Sequence, residues 1–204
     1  MFRSPALFLL TAGALAGCTT SVDTAPPRSA SEELLISKAA EQAADALKVE
    51  IHPGTKLYVD TTYFAGTDAK DMDVKYAIGT IRDRLARQGA RLVDKKPDAD
   101  TVVELRSGTL SIEQHEFLLG IPALTLPIPL AGATTLPEVA IYKHAVRAGV
   151  AKFAASEYDK TGALVSSDDP KFGFSKKNQT VLLVVFGWGD GDIAPKGAPV
   201  DGSE

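Results

Sequence analysis

VAIYKHAVRAGVAKFAASEYDKTGALVS, residues 139–166, is the stretch on which the fold turns. Residues 139–159 read as one long extended run, and the Asp159-Lys160-Thr161-Gly162 that ends it is a hairpin signal. Gly162 takes a positive φ without a Cβ penalty, so the chain can reverse there and return over 163–166. Other extended segments supply neighbours for this strand. KLYVDTTYF (56–64) is β-branched and aromatic, and residues 91–94 are a short strand before the turn KKPDAD. TVVELRSGTLSI (101–112) is a further strand, bulged or bent at Gly108. TVLLVVFGW (180–188) is almost continuously apolar, the pattern of a central strand covered on both faces.

Two helices complete the domain. Ser29 and Glu32 have the spacing of a capping box, and Leu35, Ala39, Ala43 and Leu47 recur at helical spacing, which predicts a helix over 31–48. Its alanine face suits close packing on a sheet. Val74, Ile78, Ile81 and Leu85 form one stripe of a second helix over 71–88, and Gly89 is placed to end it in a left-handed cap. The sum is an α/β (α+β) single domain, with a mixed sheet of five or six strands and two helices packed on one face.

The amino terminus, MFRSPALFLLTAGALAGC, fixes an expectation about location. Arg3 is a short positive region, and the apolar run after it is too short for a bilayer-spanning helix, which needs about 20 residues. The run ends in Leu15-Ala16-Gly17-Cys18, which resembles the bacterial lipobox: small residues admit the peptidase, and the cysteine thiolate is alkylated. Cys18 is the only cysteine, so no intramolecular disulfide can form. Acyl chains on it would bury about 0.8 kcal/mol per CH₂, enough for stable anchoring when two or more are present. Thr19, rather than aspartate, follows the cysteine, which by analogy favours the outer membrane facing the periplasm. The expected organisation is therefore a signal peptide over 1–17, a lipidated cysteine and flexible tether over 18–30, a domain over 31–188, and a disordered tail over 189–204. The chain carries 22 basic and 26 acidic side chains, net −4, and cleavage before Cys18 would remove only Arg3 and leave −5. Such a chain, without a basic cluster, is a poor partner for nucleic acid.

Several motifs together carry a resemblance. The lipobox, LLISKA, KLYVDTTY, GARLVDKKPDADTVVELRSGTLS, LLGIP, Pro137-Glu138 and YDKTG look like an uncharacterised bacterial family of lipoproteins, a domain of unknown function. The likeness covers most of 31–187 and implies no activity. In element order alone the chain is similar to envelope lipoproteins of the curli-secretion-channel and TolB amino-terminal types.

Chemistry-bearing motifs are sparse. His52, His115 and His144 lack zinc-ligand spacing, and no nucleophile elbow or phosphate loop occurs. Asp68, Asp71 and Asp73 precede the second helix, where carboxylates complement its dipole. Asp168-Asp169 and Asp190-Gly191-Asp192 lie in loops without the closing ligands of a calcium site. Trp188 reads as a plug at the edge of the core. No metal, cofactor or catalytic group is expected, and the protein reads as a non-enzyme.

The remaining feature is FLLGIPALTLPIPL (117–130), inside a proline-rich apolar segment over 117–137. Phe117, Leu118, Leu119, Ile121, Leu124, Leu126, Ile128 and Leu130 make it the candidate contact surface. Each such side chain gains about 1.5–3 kcal/mol on full burial. Burial is expected first on the domain's own sheet, then against a partner or sister subunit, and last in lipid. Two functions fit: an envelope assembly or accessory component acting by protein contact, or a carrier holding an apolar ligand between the sheet and this segment.

Overall fold

The computed structural model describes residues 28–64, 72–128, 132–183 and 185–193. In chain order these form α1 (Ala30–Ala46), β1 (Lys56–Tyr63), α2 (Met72–Arg87), β2 (Arg91–Leu92), a 3₁₀ turn (Lys96–Asp98), β3 (Thr101–Ile121), β4 (Leu124–Ile128), β5 (Gly132–Leu136), β6 (Val139–Asp159), β7 (Leu164–Ser167), β8 (Lys171–Leu182) and β9 (Phe186–Gly191). The tetrad Leu15–Cys18, Asp68, Asp71, Leu130 and the chain beyond residue 193 lie outside the described residues.

The start of α1 and the end of α2 follow from their sequences. Ser29 Oγ accepts from the Glu32 amide at 3.4 Å, and Glu32 Oε2 accepts from the Ser29 amide at 2.9 Å, so the capping box is closed. On α2, Val74, Ile81 and Leu85 are buried and Ile78 packs against the same core. Gly89 follows at φ +102°, the left-handed conformation that glycine permits.

The sheet has seven strands in the order β2-β1-β3-β6-β8-β9, with β7 also paired to β6. β1 runs parallel to β2 and β3, and the other pairs are antiparallel, so the sheet is mixed. The register of β3 on β6 slips between Ser107 and Thr109, a bulge centred on Gly108. Asp159 Oδ1 accepts from the Thr161 and Ala163 amides at 2.8 and 2.9 Å, and Gly162 sits at φ +85°, which closes the β6–β7 turn. The core lies between the helices and one sheet face, where Ala43, Ile81 and Leu85 meet Val59, Val103, Leu105 and Phe153.

α1 lies directly against the backbone of β6 and β8. A Cβ built on Gly149 would stand 2.2 Å from the Leu35 carbonyl oxygen, and one on Gly173 would stand 1.9 Å from that of Ala39. Beside them Ser175 Oγ donates to the Leu35 carbonyl at 2.6 Å. The alanine face of α1 and this glycine-serine row on the sheet are therefore two halves of one close contact.

Four expectations need correction. The sheet has seven strands, and a separate two-stranded sheet, β4–β5, is inserted beyond it. β8 begins at Lys171, although KFGFSKKNQ carries no apolar signal on its helix-facing side, where Gly173 and Ser175 stand. TVLLVVFGW is not one covered strand: Thr180–Leu182 end β8, Leu183 turns the chain at φ 50°, and Phe186 starts β9. β9 then runs through Gly189 to Gly191, and Ile193 is buried, so ordered chain extends past residue 188.

Among the described residues, the apolar segment continues past the sheet and is not folded back onto it. Phe117 to Ile121 continue β3, and residues 124–128 pair with 132–136 as β4 and β5. Phe117, Leu119, Ile121 and Leu124 are exposed, Leu118 is half-buried on the opposite face, and Leu126 and Ile128 are placed on β4 by their backbone. The reason is length. β3 and β6 have 21 residues each, about 70 Å of extended chain, whereas α1 has 17, about 25 Å of helix. The sheet outruns its helical cover.

Candidate functional site

The face of the sheet turned away from α1 carries the feature that most needs a partner. Alternation along each strand puts residues two apart on the same face. Register then aligns them across strands. Leu119, Tyr142, Leu182 and Phe186 make one row over β3, β6, β8 and β9, and Phe117, His144, Thr180 and Trp188 make the next. Further along, Phe174 stands beside Val150 and Phe172 beside Lys152. Phe117, Phe174 and Trp188 are 60%, 57% and 55% exposed, so more than half of each ring system meets water. Phe117, Trp188 and Phe186 lie in adjacent rows and expose on the order of 300 Å², given 150–250 Å² for each ring. That reaches the largest apolar patch of an ordinary monomer before any aliphatic neighbour is counted. Phe172 and Phe174 form a second aromatic cluster, set apart from the first by the rows of Asn178 and Lys176.

The rings hold one another in place. Phe117 and Tyr142 lie 6.1 Å apart and tilted at 56°, and Phe172 and Phe174 stack in parallel at 6.1 Å. Lys152 Nζ sits 5.2 Å from the centre of the Phe172 ring, a cation–π contact. His144 Nδ1 and Thr180 Oγ1 are 3.1 Å apart, so this histidine is occupied within its row. Trp188, expected at the edge of the core, stands on this open face instead. The outer edge of β3 adds to the opening, since β1 pairs with it only as far as Arg106 among the described residues.

The titratable groups point elsewhere. A cleft of about 640 Å³ at the opposite end of the sheet is lined by Asp60, Lys96, Glu104, Tyr158 and Lys160. The Thr62 hydroxyl donates to Asp60 at 2.6 Å, which holds this carboxyl below its usual range, and Lys96 Nζ is 3.7 Å away. Pro97, Ala99 and Val102 stand among these charged groups, and the cleft lies far from the proline-rich segment, so it is not the space between sheet and segment in which a carrier would hold its ligand. His115 is exposed beside Glu113, and Asp168 accepts from the Lys48 amide at 2.9 Å and from Lys171 at 2.8 Å. Asp192 accepts from the Lys176 amide at 2.9 Å, which ties β9 to β8. Among the described residues no three His, Cys, Asp or Glu side chains converge as a metal site, and no described helix is long and apolar enough to cross a membrane.

Among the described residues Glu157 is the one buried carboxylate, and its position explains it structurally. It faces the helix side of β6 and accepts from the Glu50 amide at 2.9 Å. Loss of hydration raises its pKa, opposed by that hydrogen bond. The native state therefore holds this proton more tightly than the unfolded chain, and the domain loses stability as pH rises above the ordinary glutamate range. Glu157→Gln is expected to raise the thermal midpoint at pH 7 and to leave it unchanged near pH 4. Equal effects at both pH values would show that the carboxylate is not destabilised.

Of the segment the sequence singled out, Phe117 and Leu119 stand on this face and Leu124 lies on the separate β4–β5 pair, while Phe172, Phe174 and Phe186 were not singled out and Trp188 was expected at the core edge. Their signal was present as alternation: large residues at 172 and 174 flank glycine at 173. No curated protein matches the sequence. A family model does, over residues 12–168, which takes in both helices, β1 to β7 and the Leu15–Cys18 tetrad. The chain thus belongs to the family of unknown function DUF6655.

Proposed function

We propose that this protein is a non-enzymatic envelope lipoprotein, anchored through acylated Cys18 to the outer membrane and facing the periplasm, that works as an assembly or accessory component by protein contact. The observation that carries the reading is the open aromatic face of β3, β6, β8 and β9, whose rings are ordered by mutual contact yet left in water. A partner protein or a sister subunit that covers these rows gains the burial that the helices do not provide.

Two experiments test it. Phe174→Asp should abolish the complex captured by crosslinking in intact cells, and should change stability by no more than about 0.5 kcal/mol, as for other exposed sites. A complex that survives the substitution would remove this face from the contact. Mass spectrometry of the mature amino terminus should find an acylated Cys18, and Cys18→Ser should leave an unprocessed precursor. A processed chain without lipid would contradict the anchor while leaving the face untouched.

A further inference from the structure

The end of the sheet beyond the helices differs from the open face in one respect: exposed apolar side chains stand on both of its faces and in its turn. Leu119, Leu182 and Phe186 project from the face away from α1, Ile141 projects from the other, and Val185 in the β8–β9 turn is 81% exposed. A protein docked on one face would leave the other face and the turn in water. A medium that surrounds the tip would cover all of them.

The course of α1 gives the direction of the anchor. Lys177 Nζ donates to Ser31 Oγ at 3.2 Å near the helix start, whereas the Lys48 amide reaches Asp168 just past its end. The amino terminus of α1 therefore points along β6 and β8 toward the apolar tip. From the row of Arg147 and Lys177 to the row of Tyr142 and Leu182 is five residues, about 17 Å of strand. The opposite end of β6, at Asp159, lies twelve residues the other way, about 40 Å. Ten residues join Cys18 to Arg28, and they span at most about 36 Å. A lipid on Cys18 can hold the tip at the membrane surface, and cannot do so for the far end of the sheet along the same axis.

We propose that the tip formed by Ile141, by Leu182, Leu183, Val185 and Phe186, and by the end of β3 rests in the headgroup region of the bilayer to which Cys18 is tethered. This rests on the lipid anchor proposed above and extends it to the orientation of the domain. Contact is shallow. Unpaired strand edges exclude the hydrocarbon interior, where no water satisfies the backbone. A depth of about 5–10 Å corresponds to two or three strand residues. Lys143 marks its limit: its ammonium binds Glu138 at 3.0 Å and Glu116 at 3.1 Å, a partly exposed charged cluster beside the Tyr142 row that hydrocarbon would strip of solvent. Trp188 stands one row behind Phe186, at the level where an amphipathic ring meets headgroups. With the tip seated there, the rows of Phe172 and Phe174 remain in the aqueous space for a partner.

Trp188 is the only tryptophan and reports the contact directly. The full lipidated chain is reconstituted on phosphatidylethanolamine–phosphatidylglycerol vesicles, with and without bromine-labelled acyl chains. Its emission is expected to move to shorter wavelength on vesicles and to be quenched by shallow bromine. The double variant Val185→Asp, Phe186→Asp should lose both signals, with its thermal midpoint retained and the chain still floating with the vesicles. Emission unchanged on vesicles, with iodide quenching undiminished, overturns the tip contact while the floating chain upholds the anchor. A blue shift without vesicles that grows with protein concentration assigns the tip to a second copy and also overturns it. If mass analysis finds the purified chain unlipidated, the anchor fails; the same quenching with added vesicles then reads the tip alone, and its absence overturns the contact.

Discussion

Phe153→Ala is expected to lower the stability of the domain by about 3–5 kcal/mol, the range for truncating a fully buried phenylalanine. Phe153 has no exposed surface, and its ring lies 5.0 Å from that of Phe64. It stands on the helix-facing side of β6, within the same core as Leu105, Ile81 and Ala43. Truncation leaves a cavity bounded by sheet backbone and both helices, which relax only in part. For a domain of this size each kcal/mol corresponds to about 2–4 °C, so calorimetry reads the loss directly. Phe172→Ala is the control. Phe172 is exposed on the other face, and its loss should leave the midpoint within about 0.5 kcal/mol of the parent. Equal losses from the two variants would mean that the assignment of inner and outer faces is wrong.

The second large effect comes from adding one methyl group. Gly173→Ala places a Cβ against the Ala39 carbonyl oxygen and 2.6 Å from the Ala43 amide nitrogen, both of them main-chain atoms that no rotamer change can move. α1 must lift from β8 or the strand must deform, an overpacking cost of about 1–3 kcal/mol or more. Gly149→Ala should act alike through the Leu35 carbonyl, and the two should not add, since either one displaces the same helix. Gly79→Ala on α2 is the counterpart: nothing lies within 4 Å of its Cβ position, and helix propensity favours alanine, so stability should rise by up to about 1 kcal/mol. A Gly173→Ala chain as stable as the parent would contradict the close seating of α1.

The same seating explains what could be read from the sequence. α2 was legible because a sheet below it demands one apolar stripe at helical spacing, and Val74, Ile81 and Leu85 supply it. The Asp159–Gly162 turn was legible because its chemistry is local. β8 was not. Where a helix touches strand backbone, the buried positions must be the smallest residues, so Gly173 and Ser175 face inward while Phe172 and Phe174 face outward. The usual rule of apolar inside and polar outside is inverted there, and a search for apolar alternation finds no core face.

The apolar runs at 117–128 and 180–188 failed for a different reason. Composition states that a segment must leave water, but not where, and self-burial was the default. The length of β3 and β6 relative to α1 decides against it, and neither length follows from local pattern, because strand limits are set by pairing. Phe186 and Trp188 were merged into one strand with Thr180 because the turn at Leu183 contains no glycine or proline to mark it.

Positional photocrosslinking in intact cells tests most directly whether the open aromatic face is the contact surface. A photoreactive residue is placed in turn at Phe172 and Phe174 on that face, and at Lys75 and Asp83 on the outer side of α2, all of them exposed. Discrete protein adducts are expected from positions 172 and 174 and none from 75 and 83. Adducts from the helix positions alone, or from all four positions alike, would contradict the account.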